Sequence, residues 1–165
     1  MPEYSKDRIE SLIDGTIPFD DAHDMMSAYK DSDRFDKYRE ILQERADWDD
    51  TILLPLTDHL YVVNNGSDRV TKCDCGHEFG DFTENWKHEA LINVRDSRRD
   101  LQEIYPEAMH SDPEWMVLRE YFCPGCKTQL EVEAVPPGYP IVFDFRPYID
   151  DFYEDWLGRK APDKQ

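Results

Sequence analysis

Basic residues are scarce in this 165-residue chain: 19 Lys and Arg stand against 37 Asp and Glu, a net charge of −18 with a pI of about 4.5. A surface of that sign repels a nucleic-acid backbone and an anionic membrane, which argues against either as a partner. Glycine is scarce as well, at seven residues. No Gly-x-x-x-x-Gly-Lys-Ser/Thr or Gly-x-Gly-x-x-Gly run occurs, so no phosphate cradle is evident. Gly-x-Ser-x-Gly and His-Glu-x-x-His are also missing. Apolar runs are short. Ile52-Leu53-Leu54 and Leu60-Tyr61-Val62-Val63 cannot span a bilayer. The start, Met1-Pro2-Glu3-Tyr4-Ser5-Lys6-Asp7, lacks the basic segment and apolar stretch of a signal peptide. The expected compartment is the cytoplasm, where thiols stay reduced.

What the chain has in quantity is aromatic side chains: four Trp, nine Tyr and eight Phe. Disordered acidic chains are poor in such residues, so a folded acidic protein is expected. The length fits one domain with a small appended lobe, able to bury roughly 70% of its unfolded surface.

The first fifty residues read as short amphipathic helices. Ser5 is the expected N-cap of a helix carrying Ile9, Leu12 and Ile13, ended by Asp14-Gly15. A second helix is expected from Asp20 or Asp21, with Ala22, Met25, Met26 and Tyr29 on one side. A third follows Ser32 and carries Phe35, Tyr38, Ile41, Leu42 and Arg45. This region holds 15 acids and 7 bases. It reads as a solvated helical face or as a lobe lying on a basic surface of another subunit.

From Thr51 the pattern becomes β-prone. Leu60–Val63 and Arg69–Lys72 flank Asn64-Asn65-Gly66-Ser67, a hairpin signal. Strands are expected over His88–Val94, Trp115–Phe122 and Thr128–Val135, with a helix over Ser97–Tyr105 stopped by Pro106. Pro136-Pro137-Gly138-Tyr139-Pro140 cannot be regular helix or central strand. A last helix is expected over Ile149–Leu157.

The strongest chemical signal is Cys73-x-Cys75 with Cys123-x-x-Cys126, which account for all four cysteines. Each pair lies in an expected β-turn, where backbone N–H groups point at sulfur. Two such knuckles supply four soft ligands in a tetrahedron, which suits Zn²⁺. Four thiolates close the shell, so a structural zinc is favoured over a catalytic one, which keeps a position for water. The one-residue spacer of the first pair is unusual. His77 could replace a thiolate or hydrogen-bond a sulfur. A Cys-x-Cys disulfide would be strained, and the run after Cys126 reads as strand rather than the helix of a redox Cys-x-x-Cys. His23, His59, His88 and His110 are scattered, and Asp20-Asp21, Asp49-Asp50 and Asp150-Asp151 read as solvated acids.

Beyond the cysteines, the ordered residues resemble a known family. Ile41-Leu42-Gln43-Glu44-Arg45, Trp48-Asp49-Asp50, Ile52-Leu53-Leu54-Pro55-Leu56 and Cys73-Asp74-Cys75-Gly76-His77-Glu78-Phe79 carry the likeness. So do Asn85-Trp86-Lys87, Val94-Arg95-Asp96, Glu103-Ile104-Tyr105-Pro106 and Arg119-Glu120-Tyr121-Phe122-Cys123-Pro124-Gly125-Cys126. Phe152-Tyr153-Glu154-Asp155-Trp156-Leu157-Gly158 completes it. The chain is similar to the small (gamma) subunit of acetone carboxylase from about Ile9 to Gly158.

The resemblance implies membership of an ATP-dependent ligase that joins acetone and bicarbonate into acetoacetate, releasing AMP and two phosphates. It implies a heterohexamer with two copies each of alpha, beta and gamma subunits. ATP with Mg and manganese are then expected on the large subunits, and zinc on Cys73, Cys75, Cys123 and Cys126. No catalytic residue is carried over. Related complexes act on acetophenone, so another ketone stays open.

The expected fold class is α+β: a zinc-ribbon-like antiparallel β core with short helices in N- and C-terminal extensions. The expected organisation is a helical extension over 1–50, the β core with an inserted helix over 51–135, and a Pro- and aromatic-rich tail over 136–165. The expected role is a non-catalytic subunit that stabilises or shapes the large catalytic subunits. Trp48, Trp86, Tyr139, Phe143, Phe145, Tyr148 and Trp156 could anchor such a partner, although any single aromatic is expected to fill the chain's own core. The rivals are a stand-alone zinc-ribbon interaction protein, a small metal-dependent enzyme and a nucleic-acid module; the last lacks its basic stripe.

Overall fold

Ser5 opens α1, Lys6–Ile13, by accepting the Arg8 N–H, and the chain turns out at Asp14 and Gly15, where φ is +65°. This is the start and stop expected from the sequence. The computed structural model describes residues 4–66 and 68–162. Two units emerge, Met1–Ala46 and Asp47–Gln165.

In the first unit, α2 spans Phe19–Ser27 and α3 spans Arg34–Arg45. α2 begins one turn-position earlier than expected, after Pro18. This puts Asp20 and Asp21 in its first turn, where the helix dipole favours acids. Only Met25 of the expected stripe is buried; Met26 and Tyr29 are exposed. Neighbouring helical residues point about 100° apart, so Met25 and Met26 cannot share a face. Tyr29 lies past the helix, which ends at Ser27. The core is small: Ile9, Met25 and Ile41, with Tyr4, Leu12, Ile13, Ile17 and Tyr38 packed around them. Ion pairs reinforce it. Arg45 at the end of α3 bonds Asp14 at 2.8 and 3.0 Å and Glu10 at 2.9 Å. Asp31 is buried against Arg34 at 2.6 Å.

The second unit holds two antiparallel sheets. The first runs β1 (Thr51–Thr57), β2 (Leu60–Asn64), β3 (Arg69–Cys73), β4 (Glu78–Asp81) in that order. The second runs β5 (Leu91–Arg95), β6 (Val117–Phe122), β7 (Gln129–Val135). β2 is covered on both faces and every residue in it is buried. Pro55 is tolerated in β1 because β1 is an edge strand, and the register slips beside it. The expected turn between β2 and β3 includes Ser67, which lies outside the described residues. Around it, the Asn65 N–H donates to the Asp68 carbonyl and Gly66 sits at φ +90°. Residues 1–3 and 163–165, included in the expected end segments, also lie outside them.

Several expected elements are shorter or later: β6 starts at Val117 rather than Trp115 and β7 at Gln129 rather than Thr128. The strand expected from His88 starts at Leu91, because Trp86–His88 form a 3₁₀ turn capped by the Asn85 side chain. The helix after Ser97 is α4, Arg98–Gln102. The last helix is α5, Ile149–Asp151, continued by a π-helical turn over Phe152–Trp156.

Residues from both sheets form one core: Leu60, Cys73, Phe79, Trp86, Tyr121, Cys123 and Leu130. Phe79, Trp86 and Tyr121 pack edge to face in series at 5.9 Å. The tail from Pro136 lies along this unit. The Arg119 guanidinium donates to the Tyr139 and Pro140 carbonyls, Arg69 forks onto Asp150, and the Tyr153 hydroxyl donates to the Leu53 carbonyl. Trp86 is thus core, while Phe145, Tyr148 and Trp156 are exposed. No helix among the described residues is long and apolar enough to cross a membrane.

Candidate metal centre

The two cysteine pairs sit at the tips of two hairpins, one from each sheet. Cys73 ends β3, and the chain turns through Asp74-Cys75-Gly76 into β4. The turn is closed by Cys73 N–H to His77 carbonyl and Gly76 N–H to Cys73 carbonyl, both 2.9 Å, with Gly76 at φ +91°. Cys123 and Cys126 lie between β6 and β7. That turn is closed by Cys123 N–H to Thr128 carbonyl and Lys127 N–H to Cys123 carbonyl, both 2.9 Å. Lys127 takes φ +65°, a left-handed conformation for a non-glycine residue.

The four sulfurs all lie within 4.8 Å of one another and could hold a metal ion. Cys73 Sγ is 3.9 Å from Cys126 Sγ, and Cys75 Sγ is 3.7 Å from Cys123 Sγ. A zinc ion at 2.3 Å from four sulfurs sets a tetrahedral edge of about 3.8 Å. The donor set and its spacing therefore fit that ion. Backbone N–H groups of Cys75, His77 and Thr128 point at the sulfurs of Cys73, Cys75 and Cys126, which favours thiolate. Burial pushes the Cys73 and Cys75 thiols up, whereas bonding to Thr128, whose Oγ1 is 3.2 Å away, holds Cys126 down at about 6. A cation would repay the burial of the other thiolates.

The surroundings leave little slack. A methyl group on Gly125 would lie 3.2 Å from His77 Cβ and 3.3 Å from Cys75 Sγ. The Trp48 indole N–H donates to the Asp74 carbonyl at 2.9 Å, and His59 Nδ1 is 2.7 Å from Asp74 Oδ2.

A sequence profile described as the acetone carboxylase gamma subunit matches residues 46–157. The chain is 46% identical over 163 residues to the acetone carboxylase gamma subunit of Xanthobacter autotrophicus, covering 98% of this chain and 97% of that one. The chain belongs to the acetone carboxylase gamma subunit family. It is also 34% identical over 80 residues to the acetophenone carboxylase beta subunit of Aromatoleum aromaticum, covering 47% of this chain and 61% of that subunit.

The structure of this gamma-family chain brings Cys73, Cys75, Cys123 and Cys126 together as one cluster. The His77 ring instead packs edge-on against Phe79 at 5.0 Å. The paired acids are engaged elsewhere: Asp21 with Arg8, Asp50 with Lys72 and Asp150 with Arg69. His110 Nδ1 is 2.8 Å from the Ser111 carbonyl.

One polar cluster was not legible in the sequence. Lys87 is 1% exposed, and its ammonium donates to Glu131 at 2.8 Å, Glu133 at 2.5 Å and Asp144. The Tyr121 hydroxyl donates to Glu133 at 2.7 Å. Burial alone would lower the Lys87 pKa, but the carboxylates outweigh it and raise it. Lys87 is thus a fixed cation at the centre of its acids. Those acids lie 44 to 57 residues away along the chain, so no local motif marks them.

Proposed function

We propose that this chain is a zinc-binding, non-catalytic small subunit of an ATP-dependent ketone carboxylase. The complex would convert acetone, bicarbonate and ATP to acetoacetate, AMP and two phosphates in the cytoplasm. The observation that carries this reading is the 46% identity to an acetone carboxylase gamma subunit along 98% of the chain. The partners would be alpha and beta large subunits in a heterohexamer with two copies of each. ATP with Mg and manganese would sit on the large subunits. The shorter likeness to an acetophenone carboxylase subunit keeps another ketone as the second reading.

Zinc would be held by Cys73, Cys75, Cys123 and Cys126 in a zinc-ribbon-like arrangement. Its chemistry there would be cross-linking: four thiolates would saturate it and leave no position for a water nucleophile. The chain's own residues then do mechanical work. The two knuckles fix the β3–β4 and β6–β7 hairpins against each other, and Phe79, Trp86 and Tyr121 fill the space between them. Such a rigid body suits a subunit that stabilises or shapes larger catalytic partners.

The test is reconstitution. Large subunits prepared without this chain should lose assembly or ketone-dependent ATP hydrolysis, and adding the zinc-loaded chain should restore it. Full carboxylation by the large subunits alone would overturn the reading. Turnover by the isolated chain would favour the metal-dependent enzyme instead.

A further inference from the structure

α2 turns one side toward the core of the first unit and leaves the other bare. Met25 is fully buried, whereas Phe19 is 81% and Met26 67% exposed. Phe19, His23 and Met26 follow i, i+4, i+7 spacing, so they form one stripe on the side away from Met25. The Phe19 and His23 rings pack at 6.4 Å, which makes the start of the stripe a continuous surface. Tyr29, 87% exposed, follows just past the helix end. Large apolar side chains at this spacing are the anchors of helices that dock into grooves.

The charges beside the stripe are unbalanced. On one side of it Asp20 is exposed and the Asp24 carboxylate lies 3.7 Å from His23 Nδ1, and among the described residues neither acid is paired with a Lys or Arg. Neighbouring bases serve other groups. Arg8 pairs with Asp21, and Lys30 donates to the Met25 and Met26 carbonyls at 3.0 and 2.7 Å, closing the helix end. The helix is therefore preformed, and docking costs little ordering. The matched family profile begins at residue 46, so this unit lies outside it, while the Xanthobacter relative is matched over 98% of the chain.

We propose that the Phe19–Met26 face of α2 docks into an apolar groove rimmed by Lys and Arg on a large subunit of the carboxylase. This rests on the reading that the chain works inside such a complex. Charge complementarity selects the occupant: a groove with a basic rim pairs Asp20 and Asp24, whereas a second copy of this face would set those acids against their own kind. Phe19 and Met26 supply affinity, and the two acids supply orientation and encounter rate.

The experiment uses the full chain and purified large subunits freed of it. Binding is followed by biolayer interferometry at several salt concentrations. Phe19→Ala combined with Met26→Ala should raise Kd by about 30-fold or more. Asp20→Asn combined with Asp24→Asn should slow association and flatten its salt dependence. All four side chains are exposed, so zinc per chain should not change, and the helical circular dichroism of the apolar variant should match that of the wild type. Unchanged Kd in the apolar variant overturns the docking face while leaving the functional reading in place. No binding by the wild-type chain overturns both. Light scattering that finds a dimer of the chain alone, dissolved by the apolar substitutions, overturns the proposal in favour of a second copy.

Discussion

Cys123 is fully buried and sits 3.7 Å from Cys75 Sγ, so a hydroxyl in its place removes one of the four clustered sulfurs from the second unit. Ligand binding and folding are coupled at closed zinc sites. Cys123→Ser is expected to drop the metal from one per chain to near zero and to lower the melting temperature by about 10 °C or more. Plasma emission analysis and thermal scanning of one preparation check both, and full zinc with unchanged melting would refute the assignment. Gly125 acts by its lack of a side chain. Gly125→Ala must displace His77 Cβ or Cys75 Sγ. It should cost about 1–3 kcal/mol in chemical denaturation and weaken zinc retention against a chelator. Lys87 is the third residue to test. Lys87→Met leaves Glu131, Glu133 and Asp144 converging without their cation, and should cost about 3–5 kcal/mol. Its raised pKa means this contribution is present below the ordinary lysine value and lost only as pH rises through the raised one. Urea unfolding at pH 7 should therefore report the full loss.

Among the elements, those with local chemistry were legible and those without were not. α1 carries its own cap and stop in Ser5 and Gly15, so both ends could be read. The cysteine cluster was legible because the turn residues and the sulfurs that meet are the same few residues. β1 was hidden by Pro55, which an edge strand tolerates. β4 was hidden by its length of four residues and by Gly80 at φ +89°. The sequence pattern places Met25 and Met26 on one side of α2, but the 100° between adjacent helical residues turns Met26 outward. In the first unit, burial alone would raise the Asp31 carboxyl. Its bonds to Arg34 and to the N–H groups of Asp31 and Tyr4 outweigh that and hold it below the ordinary value of 3.8. A lowered carboxylate stabilises above its ordinary pKa, and the contribution disappears as pH falls through the lowered value. Asp31→Asn should already weaken the helical unit at pH 7, by about 1–3 kcal/mol. Its helical signal should then depend less steeply on pH below 4 than that of the wild type. Superimposable acid titrations by circular dichroism would contradict this.

For the whole molecule, the net charge of −18 favours partners of opposite charge. The acids are not idle: many are tied to the few bases, as at Arg45, Lys72 and Lys87. Those left over, such as Asp20 and Asp24, are where a basic partner surface has most to gain. The second unit carries two sheets whose hairpin tips meet at four sulfurs, with an aromatic series between them. The central claim is that these sulfurs hold one structural zinc. X-ray absorption at the zinc edge, on the purified chain with metal quantified in the same sample, tests it most directly. The account predicts one zinc per chain with four sulfur neighbours at about 2.3 Å. A shell containing nitrogen or oxygen, or no stoichiometric zinc, would contradict it.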